Sequence, residues 1–282
     1  MKNRPLKTIL WIALTLALTA ETAQAKPLRF VYLQGFLSCS YSNQAPVRKF
    51  LELTANHPDA RMYWGCFDAG FVQHIEDWRE RFYIYTIESD GSWSKAQEMN
   101  PKTAPMEISL MLLNEIHERT NASDPSSDEK IMDVFLAGHS HGGWMAIRTA
   151  YQLSLNSNVQ IQHLLTIDPI SYELCASSWF PYHVLTNTVR WWGTPHDCHR
   201  APRDLEHLED TVARATETRW TNIYQETMPY VTSGPIRQAT RNFTYQSKST
   251  FDWLTAHRAA LLDSTTWTTF YSELSAFSQS QN

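Results

Sequence analysis

Apolar and polar positions switch repeatedly between a period of two and a period near 3.6 along residues 28–245. The order of those switches predicts the order of elements. Leu28 to Gln34 is an aromatic and β-branched run that stops at Gly35, which reads as a strand. Pro46 to Thr54 follows with Val47, Phe50 and Leu51 at helical spacing. Phe82 to Ile87 is strand-like. Pro105 to Arg119 carries Met106, Ile108, Leu110, Met111, Leu113 and Ile116, the pattern of a buried helix. Asn121 to Asp128 is a polar loop. Ile131 to Ala137 is a compact apolar strand, Trp144 to Leu155 is helical, and Val159 to Ile167 is a strand halted at Asp168-Pro169. Further strands are expected at Trp220 to Gln225 and Asn242 to Tyr245. Strands that alternate with helices at this spacing predict βαβ units: an α/β fold with a mostly parallel central sheet and helices on both faces.

One segment breaks the rhythm. Ser171 to Thr218 shows no clean period, with aromatic clusters at Trp179-Phe180-Pro181-Tyr182 and Trp191-Trp192 ahead of a charged stretch. A connection this long is expected to be an insertion over a site, a cap or lid spanning 171–218. No internal repeat or low-complexity tract is evident.

The first 25 residues read differently from the rest. Lys2, Arg4 and Lys7 precede an apolar run from Thr8 to Ala20, and Ala23-Gln24-Ala25 supplies a small-x-small cleavage pattern. The run of about 13 residues is too short to cross a hydrocarbon core of roughly 30 Å as a helix. The expectation is a signal peptide at 1–25 and a single domain at 26–282, in the periplasm or outside the cell. Loss of Lys2, Arg4, Lys7 and Glu21 would take the formal charge from −5 to −7. A mildly acidic chain without a Lys/Arg stripe argues against nucleic acid as a partner.

Residues 138–143 carry the sharpest chemical signal, Gly138-His139-Ser140-His141-Gly142-Gly143. An apolar strand, then Gly-x-Ser-x-Gly, then a helix is the context of a nucleophile elbow. The glycines let strand and helix approach, and the serine hydroxyl stands at a helix N-terminus that favours developing negative charge. The same residues admit another reading, because His139 and His141 have the spacing of two metal ligands. No third or fourth ligand follows them nearby, so a metal is not expected. No cofactor motif appears.

A serine nucleophile needs a base, and the base needs an orienting acid. Asp168 ends the strand after the elbow, at the sheet edge where functional groups collect. Glu226 and Asp252 are rival acids. His257, the last histidine in the chain, follows the final predicted strand. His163 lies inside a strand and reads as a core residue, and His183, His196, His199 and His207 are weaker candidates within the insertion. The expected oxyanion donors are the amides of His141 and of Phe36, with Gly35 permitting the turn before Phe36.

With these residues the chain resembles an α/β-hydrolase of the lipase and esterase group. The resemblance rests on Gly138-His139-Ser140-His141-Gly142, on Leu164-Leu165-Thr166-Ile167-Asp168-Pro169 and on His257. It implies a Ser140, Asp168, His257 triad and favours Asp168 over Glu226. It departs at the first strand, where such lipases often carry His-Gly and this chain has Gln34-Gly35. The implied activity is hydrolysis of carboxylic esters. The aromatic residues of the insertion suit a lipid-like substrate and a transient contact with a membrane or lipid surface. A metal-dependent hydrolase, or an inactive binding protein on the same fold, is the alternative.

Cys39, Cys66, Cys175 and Cys198 contain no CxxC, and an exported chain meets an oxidising compartment. Disulfides Cys39–Cys66 and Cys175–Cys198 are expected, each closing a short local loop.

Overall fold

Strand β1 (Leu28–Leu33) is buried along its whole length, and its side chains divide between two cores. Val31 and Leu33 enter one apolar cluster, while Leu28, Phe30 and Tyr32 enter the other. That division is what a strand covered on both faces requires. The computed structural model describes residues 26–35, 39, 45–57, 59–68, 81–94, 96–122, 132–171, 203–217, 219–225, 234–245 and 253–280. The expected signal peptide, Phe36, Cys175, Cys198, Glu226, Asp252, His183, His196 and His199 lie outside these residues.

In chain order the remaining elements are α1 (Ala45–Thr54), β2 (Ala60–Asp68), β3 (Arg81–Glu88), β4 (Gln97–Met99), α2 (Ala104–Ala122), β5 (Met132–His139) and α3 (His141–Ser154). They continue as β6 (Val159–Ile167), a 3-10 turn (Arg203–Leu205), α4 (Glu206–Ala215), β7 (Trp220–Gln225), β8 (Arg241–Tyr245), α5 (Trp253–Leu262) and α6 (Ser264–Ser280). The strands form one eight-stranded sheet in the order β4-β3-β2-β1-β5-β6-β7-β8. From β2 to β8 every neighbouring pair is parallel. The two strands at the other edge, β3 and β4, run antiparallel.

Helices α2, α3 and α4 share the apolar cluster on one face, through Ile108 and Leu112, Trp144 and Ile147, and Leu208 and Val212. Helices α1, α5 and α6 cover the other through Phe50, Leu261, Trp267, Phe270 and Leu274. The α/β class, the mostly parallel sheet and the two helical layers are therefore as expected. No helix among the described residues is long and apolar enough to cross a membrane.

Three differences from the expected pattern have physical causes. Strand β2 was not anticipated, because Arg61 and Gly65 interrupt its apolar run. Gly65 is required there: a Cβ would lie 2.3 Å from the Phe82 ring of β3. Helix α3 begins at His141 rather than Trp144, since a strand-to-helix turn leaves no linker between β5 and the helix. The charged stretch near Arg203 contains α4, whose Leu208 and Val212 pack into the core while Glu206 and Asp210 face outward. Residues 203–215 thus belong to the helical layer over the sheet. The aromatic part of the expected cap, with Trp179, Phe180, Tyr182, Trp191 and Trp192, lies outside the described residues.

Several polar groups inside this core are paired across elements, whereas the buried Thr149 Oγ1 has no hydrogen-bond partner among the described residues. His163 of β6 binds Glu273 through Nδ1 at 2.6 Å and Thr221 through Nε2 at 3.1 Å, which fastens α6 to the sheet and makes it the core residue expected. Near the N-terminal ends of β1 and β2, Arg29 and Arg61 both reach Glu115 of α2, at 2.6 and 2.7 Å. Tyr63 Oη donates to the same carboxylate. Arg29 is fully buried and also bonds Asp59. Removing one partner of a buried ion pair leaves an uncompensated charge and costs about 3–5 kcal/mol. Glu115→Ala is therefore expected to destabilise the protein by about that amount. Urea unfolding followed by tryptophan fluorescence checks this, and Glu118→Ala serves as a control on the same helix.

Candidate active site

The turn between β5 and α3 holds Ser140 in a conformation that side chains seldom adopt. Its φ is 59° and its ψ −129°. The surroundings explain why this is tolerated. Its N–H donates to Ile167 O at 3.0 Å, its carbonyl accepts from Ile170 N–H at 3.1 Å, and Gly143 N–H closes the first helical turn onto it at 2.9 Å. A left-handed non-glycine residue costs on the order of 1–3 kcal/mol and persists only where neighbours over-determine it. Asp168 has the same property, with φ 45°, immediately before Pro169. Asp tolerates the left-handed region better than most side chains. Among the described residues only Glu217, just past the end of α4, shares a positive φ outside glycine.

Two glycines decide how closely the strands approach this turn. A Cβ on Gly142 would stand 2.0 Å from Leu33 O, so the end of β1 rests on the start of α3. A Cβ on Gly35 would stand 2.4 Å from Ser140 Cβ and 2.8 Å from its Oγ. At Gly35 the structure shows a requirement of close contact with the serine, and the expected turn onto Phe36 lies outside the described residues.

Asp168 and His257 meet, although 89 positions separate them. His257 Nδ1–H donates to Asp168 Oδ2 at 2.5 Å, and Gln225 N–H reaches Asp168 Oδ1 at 3.4 Å. Both residues are buried, at 1 % and 5 % exposure. The carboxylate is placed by the backbone at the tip of β6, where Asp168 N–H bonds Ile223 O of β7 at 2.6 Å. His257 sits inside α5, not in a loop after a strand.

His139 and His141 point in different directions. His139 Nε2 lies 3.1 Å from His257 O, and its ring contacts the His257 ring at a tilt of 36° with centroids 4.3 Å apart. His141 Nδ1 lies 3.2 Å from Ile170 O, on the other side of the serine. The two imidazoles diverge because His139 ends a strand and His141 begins a helix. No group of three or more metal-ligating side chains occurs among the described residues. His207, another histidine weighed from the sequence, is exposed on α4.

The expected oxyanion donor at His141 is an amide in the first turn of α3, at the positive end of the helix dipole. Phe36 lies outside the described residues, but the chain on either side of it is held. Gln34 N–H bonds Gly65 O at 2.8 Å, and its side-chain amide is fixed between Tyr32 Oη and Trp64 Nε1–H at 2.8 and 2.9 Å. Three residues past Phe36, Cys39 is tied to Cys66 by the expected disulfide. Sequence reasoning missed Gln34 and His139, because both act through partners that only the folded chain supplies. Comparison with protein families, curated proteins and solved structures gives no match to this chain.

Gly35→Ala tests the closeness of this packing. The new methyl would occupy space held by Ser140, whose backbone is bound on both sides. A displacement of about 1 Å at a reacting group can cost on the order of 10²-fold in rate. The expected result is a fall of that order in the rate at which a fluorophosphonate modifies Ser140, measured by mass spectrometry against time. A labelling rate equal to wild type would show that Gly35 does not position the serine.

Proposed function

We propose that this protein is an exported serine hydrolase of α/β-hydrolase type that cleaves carboxylic esters, with Ser140, His257 and Asp168 as its triad. Two observations carry this reading: the buried Asp168–His257 hydrogen bond, and a serine held at positive φ where β5 passes into α3. The order serine, acid, histidine along the chain matches hydrolases that use this elbow.

In the proposed reaction Ser140 Oγ attacks the ester carbonyl carbon while His257 Nε2 takes its proton. Asp168 accepts the hydrogen bond from Nδ1–H, which keeps Nε2 as the basic nitrogen and stabilises the imidazolium that forms. The carbonyl oxygen gathers negative charge and is met by the amides of His141 and Phe36, where one such donor is worth on the order of 2.7–4 kcal/mol. The C–O bond to the alcohol breaks, and His257 returns the proton to the leaving oxygen. Water then attacks the acyl-serine with His257 again as base, and the carboxylic acid departs.

A lipid-like ester is favoured by the aromatic residues at 179–192; an apolar cavity of about 630 Å³ also lies between α1 and α6, and none of Ser140, Asp168 and His257 lines it. That cavity is lined by Tyr32, Leu53, Leu261, Trp267 and Tyr271, and it reaches the sheet edge at Gln34. Export is supported by the leader-like residues 1–25 and by a disulfide, which persists in oxidising compartments. The metal-dependent alternative has no such support, since His139 and His141 face separate carbonyls.

Ser140→Ala is expected to abolish both ester hydrolysis and fluorophosphonate labelling. Thermal stability should stay level or rise slightly, because the side chain serves chemistry at a strained position. More than a few per cent of residual activity would remove Ser140 from the mechanism. Chelator-sensitive hydrolysis without labelling would favour a metal enzyme, and neither activity would favour a binding protein.

Asp168→Asn should lower kcat by about 10⁴, through loss of the correct histidine tautomer, with KM changed far less. Glu226→Gln and Asp252→Asn are expected to retain most activity. Steady-state kinetics on a soluble p-nitrophenyl ester separate these outcomes.

A further inference from the structure

The geometry points to His139 as a positioning residue that holds the His257 imidazole on Asp168 and in line with the serine. This inference rests on the proposed triad but concerns a residue that the triad does not contain. Three observations converge on it. His139 Nε2 is 3.1 Å from the main-chain oxygen of His257, and a carbonyl oxygen only accepts, so this nitrogen carries the hydrogen. The two imidazole rings are in contact, with centroids 4.3 Å apart and planes tilted by 36°. Both side chains are buried, so neither contact competes freely with water.

The combination restrains His257 in two ways. The hydrogen bond ties its backbone, within α5, to the last residue of β5 across 118 positions of sequence. The neighbouring ring covers one face of its imidazole and opposes rotation about the bond that would take Nδ1 away from Asp168. His139 is itself anchored, because it pairs with Ile167 in the sheet and adjoins the rigid Ser140 turn. Nucleophile and base are therefore referred to the same strand end.

The bond to the carbonyl also decides what His139 does not do. With its Nε2 hydrogen committed to the carbonyl, that nitrogen offers no lone pair to Ser140. When His257 takes the proton it becomes a cation, and a polarisable ring face beside it is favourable where a second cation would repel. His141, two residues further along the chain, bonds Ile170 O instead.

The test uses three variants of the full mature chain. His139→Phe keeps a flat ring and loses the donor. His139→Gln keeps a donor and loses the ring, and His139→Ala loses both. Each is measured in two ways: kcat and KM with p-nitrophenyl butyrate, and proton NMR of the downfield His257 Nδ1–H that bonds Asp168. His139→Ala is expected to lower kcat by roughly 10- to 100-fold with KM within about twofold, and to broaden or erase the downfield resonance. His139→Phe and His139→Gln should each recover part of both signals, and they stand in for the alanine variant should it fail to fold. Unchanged kcat together with an unchanged resonance in all three would overturn the inference while leaving the triad intact. A rise in KM at constant kcat would also overturn it, by making His139 a substrate contact. Should wild type neither hydrolyse esters nor label at Ser140, the proposed function fails. The NMR arm still decides the role of His139 in that case.

Discussion

Steric closeness at one turn governs the arrangement of everything around it. Where β5 passes into α3, a methyl group on Gly138 would meet Gly142 O at 2.2 Å, and one on Gly143 would meet Pro169 at 2.7 Å. With the contacts at Gly35 and Gly142, this brings the ends of β1, β5 and β6 and the start of α3 to within van der Waals range of Ser140. Such packing leaves the serine no alternative backbone path, which is how a left-handed residue survives without glycine there. The same closeness places Asp168 and the Gln34–Gly35 segment on either side of the serine. Substrate-facing groups are thus set by backbone sterics before any side-chain hydrogen bond is counted.

Buried charge is divided between the two ends of the sheet, and the two ends use it differently. At the N-terminal ends of β1 and β2, two arginines and a tyrosine converge on Glu115, and every group there answers another. That cluster fixes α2 against the sheet. At the C-terminal edge Asp168 has fewer partners among the described groups, a histidine and a backbone amide. A carboxylate held in low dielectric by a histidine stabilises the imidazolium form and so prepares that histidine to accept a proton. One end fixes a helix to the sheet, and the other carries the pair that the proposed reaction would use to move a proton.

Much of this was legible in the sequence where burial is complete and contacts are local. β1, β5 and β6 are covered on both faces, so apolar residues dominate them despite Arg29, Asp133, Gln160 and Gln162, and the elbow followed from the glycines that flank Ser140. Cys39 and Cys66 are close in sequence, and their pairing was anticipated on that ground. Elements with mixed composition were harder. β2 hides behind Arg61, whose charge is accommodated by Glu88 and Glu115 and by nothing in its own segment. In α4, Leu208 and Val212 sit among acidic residues, so the segment looked like a charged stretch rather than a helix with a buried stripe. α6 is rich in serine and threonine, which obscures the spacing of Trp267, Phe270 and Leu274. The contact that Gly35 makes was not legible for a related reason: it is with Ser140, a residue more than a hundred positions away.

The pairing of His139 with His257 shows why a triad can be listed from a sequence while its precision cannot. Residue order identifies a serine, an acid and a histidine, because each must occur once at a strand or helix end. What holds the histidine in line depends on a ring contact between β5 and α5, elements that are distant along the chain and near each other only when the sheet is complete. His139 reads from sequence as the variable position of a five-residue motif, or as half of a metal site. In the folded chain its ring lies on His257 because β5 ends one residue before the turn, which projects that side chain toward α5 and leaves His141 to project away. The alternation of a strand and the start of a helix therefore assign the two histidines different neighbours. Identical side chains two positions apart acquire different environments from backbone geometry alone.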